Sequence, residues 1–168
     1  MKIKKILLSA LLIGSTIVLS GCNPQFNWRD VNSNDAPFRV LMPGKADSFS
    51  QDMQLAGIPV KMTMTATDVG GLNFAVGSVK LTDASKANEV LAAMQSGMIK
   101  NIQGNITKQV TPADTVMEVR GKAGGSDVMM AARFLSHGDW VYQVIIIGPQ
   151  NQMTPDIIET FMRSFVAY

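Results

Sequence analysis

The sequence predicts an α+β domain: an antiparallel sheet made of a meander, a helix, further strands and a C-terminal helix, with the helices packed on the sheet. A period-two run from Val60 to Thr67, a helical stripe between Asp83 and Ile102, and a second stripe after Thr154-Pro155 carry that prediction.

Phe38-Arg39-Val40-Leu41-Met42 is a short strand stopped by Pro43-Gly44. Asp47 to Leu55 follows as a second strand, turning at Ala56-Gly57. Val60, Met62, Met64 and Ala66 then alternate with Lys61, Thr63, Thr65 and Thr67, which puts apolar side chains on one face and polar ones on the other. Val69-Gly70-Gly71 turns the chain into a strand led by Leu72, Phe74 and Val76 that ends near Leu81.

Asp83 is placed to cap a helix, because a short carboxylate side chain can accept from the free N–H groups of the first turn. Ala87, Val90, Leu91, Met94, Met98 and Ile102 recur at helical spacing on one face, and Gly104 is expected to stop the helix. Strand character returns weakly at Ile106–Val110 and more clearly at Val116–Gly121. Val128–Leu135 and Trp140–Ile147 read as a hairpin joined by Ser136-His137-Gly138-Asp139. Val144–Ile147 is apolar on both faces, as a central strand requires. Thr154 then stands as N-cap with Pro155 at the first helical position, and Ile157, Ile158, Phe161, Met162 and Phe165 form the buried stripe of the last helix.

The first 21 residues have a different character. Lys2, Lys4 and Lys5 form a positive start, and Ile6 to Val18 is apolar but short for a permanent membrane span. Leu19-Ser20-Gly21-Cys22 closes the segment with small residues before the only cysteine of the chain. This layout resembles the lipobox of bacterial lipoproteins. The resemblance implies a diacylglycerol on the Cys22 thiol, cleavage before Cys22 and acylation of the new amino terminus. A thiolate is the fitting nucleophile for that attachment. Several acyl chains, at about 0.8 kcal/mol per buried CH₂, make such an anchor effectively permanent. Asn23 stands where an aspartate would imply retention in the inner membrane, so the resemblance points to the outer membrane, on its periplasmic side.

The expected organisation is therefore a signal peptide over 1–21, a lipidated N-terminus and polar tether over 22–36, and one α+β domain over 37–168. Composition agrees with a single domain. Removing residues 1–21 takes away three of the 15 Lys and Arg and none of the 13 Asp and Glu, so the 147 remaining residues carry a net charge of −1. The pI of 8.8 belongs largely to the removed segment, and no basic cluster offers a footprint for nucleic acid. With one cysteine, no disulfide can form within the chain, and the core alone must hold the fold.

The element order and the segment Phe38–Lys45 (FRVLMPGK) resemble small bacterial envelope lipoproteins of the PsbP-like fold. Asn27-Trp28-Arg29-Asp30-Val31, with the later Pro43-Gly44-Lys45, is also similar to uncharacterised exported proteins of proteobacteria. Members with a known role act as accessory or binding proteins, and the resemblance carries over no catalytic or ligand residue.

Among side chains that could carry chemistry, Met62 and Met64 give a thioether spacing that Cu(I) could use, and Met129-Met130 are adjacent. No His or Cys accompanies them, and core packing accounts for their positions. His137 stands beside Ser136 and Asp139 in the expected turn, too close in sequence to fold back into a catalytic triad. Gly70-Gly71 and Gly124-Gly125 separate strands rather than open helices, so they are turns and not phosphate loops. No metal, cofactor or catalytic residue is assigned. Trp28 and Arg29 are the candidates for partner contact, since an exposed Trp is costly; Trp28 plugging one end of the sheet is the competing expectation.

These observations lead to a non-enzymatic, lipid-anchored domain on the periplasmic side that binds or supports another envelope component, first of all a partner protein. The alternative is a carrier of a small apolar ligand in a pocket between sheet and helix. An enzyme ranks third. Cys22→Ala is expected to abolish labelling of the protein by a palmitate analogue in cells; undiminished labelling of that variant would place the acyl chain elsewhere.

Overall fold

The computed structural model describes residues 25–111 and 115–168. Residues 1–24, which include the expected signal segment and the expected lipobox residues Leu19, Ser20, Gly21 and Cys22, lie outside the described residues.

Among the described residues, ten strands and two α-helices are arranged in three layers. The middle layer is a seven-stranded antiparallel sheet of β3 (Asp47–Leu55), β4 (Ile58–Val69), β5 (Leu72–Lys80), β6 (Asn105–Lys108), β7 (Met117–Ala123), β8 (Ser126–His137) and β9 (Trp140–Gly148). Its spatial order is β3-β4-β5-β9-β8-β7-β6. Helix α1 (Ala87–Asn101) covers one face. The other face is covered by a three-stranded sheet, β1 (Arg29–Asn32), β2 (Phe38–Met42) and β10 (Val166–Ala167), together with α2 (Pro155–Ser164). The expected class, an antiparallel sheet with helices packed on it, is therefore what the chain forms, with a second sheet added.

Period-two alternation explains how one sheet serves two cores. On β5 the side chains of Leu72, Phe74 and Val76 join Tyr142, Val144 and Ile146 of β9 beneath β2 and α2. The intervening positions, Val79 of β5 and Val141 and Ile145 of β9, pack against the α1 side with Val90, Met94 and Ile102. Val141 through Ile146 are all buried, matching the central strand expected from the sequence.

Aromatic rings tie the outer layer to the sheet. Phe74 is fully buried, with its ring centroid 5.8 Å from Trp28, 6.1 Å from Phe26 and 5.2 Å from Phe161, all edge-on. Phe38, Tyr142 and Phe165 form a second cluster at 5.3–6.0 Å. There the Tyr142 hydroxyl donates to the Pro37 carbonyl at 3.2 Å, and burial pushes the phenol up to about 12.

Several elements differ from the sequence reading. From Phe26 onward the polar stretch expected as a tether belongs to the fold: Phe26 and Trp28 pack on Phe74, and β1 pairs with β2 from Arg29↔Met42 to Asn32↔Arg39. α1 ends on Gln103 at φ 48°, while Gly104 donates its N–H to the Ile99 carbonyl at 2.8 Å. Gly104 is needed for another reason: a Cβ there would press on Val119 and Ile102. Asp83 does accept from the Ser85 N–H at 2.9 Å, but it caps a short 3₁₀ turn leading into α1. Thr154 precedes α2 without a side-chain capping bond. The turn after β8 is Gly138-Asp139 alone, since His137 is the last strand residue and pairs with Trp140. β3 is an edge strand, exposed at every position but Leu55, and is held by backbone pairing and by Ser48–Thr65 and Ser50–Thr63 hydroxyl bonds of 2.9 and 2.8 Å.

Phe74→Ala should cost about 3–5 kcal/mol, because the cavity lies between three aromatic rings that cannot all relax. Urea denaturation followed by fluorescence of Trp28 and Trp140 measures it; a loss below about 1 kcal/mol would mean that the outer layer does not depend on this ring.

Candidate functional site

The covering layer on the β2 side stops short of one edge of the large sheet. β7 shows the consequence. Its Met117 and Val119 are buried toward α1, whereas Glu118 is half-buried and Arg120 exposed on the opposite face. The register sets Arg120 beside Met129 of β8 and Glu118 beside Ala131. The step between these strands and α2 forms an open groove of about 630 Å³.

One wall of the groove is apolar. Met129 of β8, Met153 of the loop before α2, and Ile158 and Met162 of α2 contribute to it, joined by Val116 and Pro155. The charged lining is Lys108, Glu118, Arg120, Arg133, Glu159 and Arg163. Both carboxylates are already engaged. Glu118 lies 3.5 Å from the Lys108 ammonium, and Glu159 lies 2.9 Å from the Arg163 guanidinium. Arg120 and Arg133 have no carboxylate within ion-pair distance among the described residues.

Arg133 is the unusual member. It sits in phase with Met129 and Ala131, on the face of β8 that turns toward α2. Its Nη1 donates to the Met162 carbonyl at 2.5 Å, in the last turn of α2, while its buried Nε has no partner. Burial lowers the pKa of the guanidinium below its usual range, and the side chain stays cationic at neutral pH. Capping a helix C-terminus contributes about 0.3–1 kcal/mol. Removing a cation from water without a counter-ion costs several times that. Arg133 is half-buried, so solvent offsets part of that cost, and among the described residues Arg120 and Arg133 bring positive charge to the groove with no paired carboxylate.

The residues singled out from the sequence lie elsewhere. Trp28 is half-buried against Phe26 and Phe74, and Arg29 opens β1 on the surface. His137 is exposed at the far end of β8, with Ser136 exposed beside it, and Asp139 pairs with Lys80 at 3.6 Å. Met62 and Met64 pack toward α1; Met129 and Met130 point to opposite faces of the sheet, Met129 into the groove. Among the described residues no group of three or more His, Cys, Asp or Glu side chains is arranged to hold a metal ion, and no helix is long and apolar enough to cross a membrane.

The sequence reading passed over Arg133, Arg120 and Glu118. Arg133 did leave a signal: it is the one charge between Val128 and Leu135, and alternation sets it on the same face as two buried residues.

Compared with models of known protein families and with curated proteins, the chain matches none.

Arg133→Met should change the unfolding free energy by less than about 1 kcal/mol, or raise it, since an apolar side chain of similar length removes a half-buried charge whose Nε has no partner. Chemical denaturation decides; a loss of about 3 kcal/mol or more would make Arg133 a structural cap of α2.

Proposed function

We propose that this chain is a lipid-anchored, non-enzymatic binding domain on the periplasmic side of the envelope, and that the groove beside α2 is its seat for another envelope component. The groove is the observation that carries the proposal. It is concave, bounded by a helix and a sheet, and of a size ordinary for ligand sites. It combines an apolar wall with Arg120 and Arg133, which no described carboxylate pairs, and that combination suits binding.

The anchor belongs to the same proposal. Gln25 lies against the Gly70-Gly71 turn, with its amide nitrogen 2.7 Å from where a Cβ of Gly70 would stand. Three residues of chain span at most about 11 Å. An acylated Cys22 would hold that end of the sheet against the bilayer. The row runs on from Val69 to Leu72, whose Cα lies close to Gly148, and from there through Met129 to Arg120. The groove would thus open near the membrane. The PsbP-like likeness of such lipoproteins is part of the proposal, supported by the element order of two antiparallel sheets with helices.

A partner protein is the second reading, and one observation favours it. The β3 edge is nine residues long, exposed, and carries Phe49 at 58% exposure, which suits addition of a partner's strand.

With Cys22 acylated, a cysteine introduced at Ser126 or at His137 gives a unique labelling site. The two positions are the ends of β8, roughly 35 Å apart. In vesicles bearing nitroxide headgroups, a dye at Ser126→Cys should be quenched and one at His137→Cys should not. Equal quenching of the two would contradict the proposed placement.

A further inference from the structure

We infer that the groove binds an amphipathic acid, an acyl chain ending in a carboxylate or phosphate head, with Arg133 and Arg120 receiving the head. This rests on the binding-domain reading and names the ligand class that the seat takes.

Two halves of the groove each exclude a simpler ligand. A neutral apolar molecule laid along Met129, Met153, Ile158 and Met162 would displace water from Arg133 and supply no counter-charge, which raises the cost of burying that cation. A free inorganic anion would satisfy the arginines but leave the thioether and isoleucine wall in water. An acid with an acyl chain answers both. Guanidinium groups present paired donors that match either carboxylate or phosphate oxygens. Methionine side chains adapt to chains of differing length and bend. The volume of about 630 Å³ accommodates such a molecule.

The two arginines have different placements. Arg133 lies deeper, bonded to the Met162 carbonyl, so its fork is held in position before the ligand arrives. Arg120 is exposed and stands in the cross-sheet row that leads to the Gly70-Gly71 turn, the end facing the bilayer in the proposed orientation. A lipid leaving the membrane would meet Arg120 first.

The test uses the mature lipoprotein in phosphatidylcholine nanodiscs, with palmitate carrying a diazirine near its methyl end. After irradiation, crosslinks should map to peptides holding Met153, Ile158 or Met162. Unlabelled palmitate should compete and hexadecanol should not. Arg133→Gln should lower the yield about tenfold, the loss expected for a charge-assisted hydrogen bond. Arg133→Lys, which keeps the charge and loses the fork, should fall between. Arg120→Gln, at an exposed position that cannot unfold the protein, should lower it severalfold and tests the inference even if Arg133→Gln folds poorly. Hexadecanol competing as well as palmitate, or undiminished labelling in both arginine variants, would overturn the acid while leaving a binding seat. Groove peptides unlabelled by the palmitate probe and by a diazirine hexadecanol alike would remove the seat itself. A diazirine lysophosphatidylglycerol run in parallel separates the two sources: the stronger labelling identifies a phosphate or a carboxylate head.

Discussion

Everything in this architecture follows from the burial of β5 and β9 on both faces. Strands that read Leu-x-Phe-x-Val and Val-Tyr-Gln-Val-Ile-Ile present apolar side chains up and down, so a single covering layer leaves half of them wet. α1 supplies one cover. The other is assembled from the two ends of the described chain, β1 and β2 at the start, α2 and β10 at the finish, joined where Val166 and Ala167 pair with Arg39 and Phe38. Residues far apart in sequence must meet before either face is dry, which makes the Phe74 and Tyr142 ring clusters the joints of the molecule.

The groove is the place where that second cover runs out. α2 packs chiefly on β2, β8 and β9, so its ten residues leave β7 and β6 uncovered on that face. β7 answers with a split character, apolar toward α1 and charged toward the gap. A gap filled only with solvated pairs such as Arg163–Glu159 would be ordinary surface, worth little either way. Arg133 changes the balance, because the last turn of α2 lies over it and, among the described residues, no carboxylate pairs with it. The fold tolerates a cost there that a Met or Leu in the same phase would avoid.

Strong periodicity made much of the fold legible. β4 alternates as expected through Val60 and Met62, where its apolar face meets α1, but beyond them Thr65 and Thr67 are buried while Met64 and Ala66 are half-buried; α1 shows its stripe because only one side touches the sheet. β1 was hidden because Arg-Asp-Val-Asn has no apolar pattern of its own; it is a strand because β2 offers an edge and Trp28 pins the entry. β10 is two residues long, too short to leave a pattern. The groove was legible only in its parts. Alternation placed Arg133 on a buried face, but nothing local to β8 tells that the last turn of a helix 29 residues later would close over it. Gln103 took the left-handed position expected at a glycine because Gly104 was required one residue later for close packing on Val119.

Address and chemistry converge in this account. On the proposed reading, a near-neutral domain held by acyl chains would need no charged surface to stay at the bilayer, which would leave Arg120 and Arg133 to select a ligand. Native mass spectrometry of the protein extracted from its own membranes tests both claims at once. The account predicts a chain that starts at Cys22 with its acyl chains attached and a non-covalent adduct with the mass of an acidic lipid, lost in the Arg133→Gln protein. A chain with an unmodified residue 22, or an acylated chain whose adducts are absent or indifferent to Arg133, would contradict it.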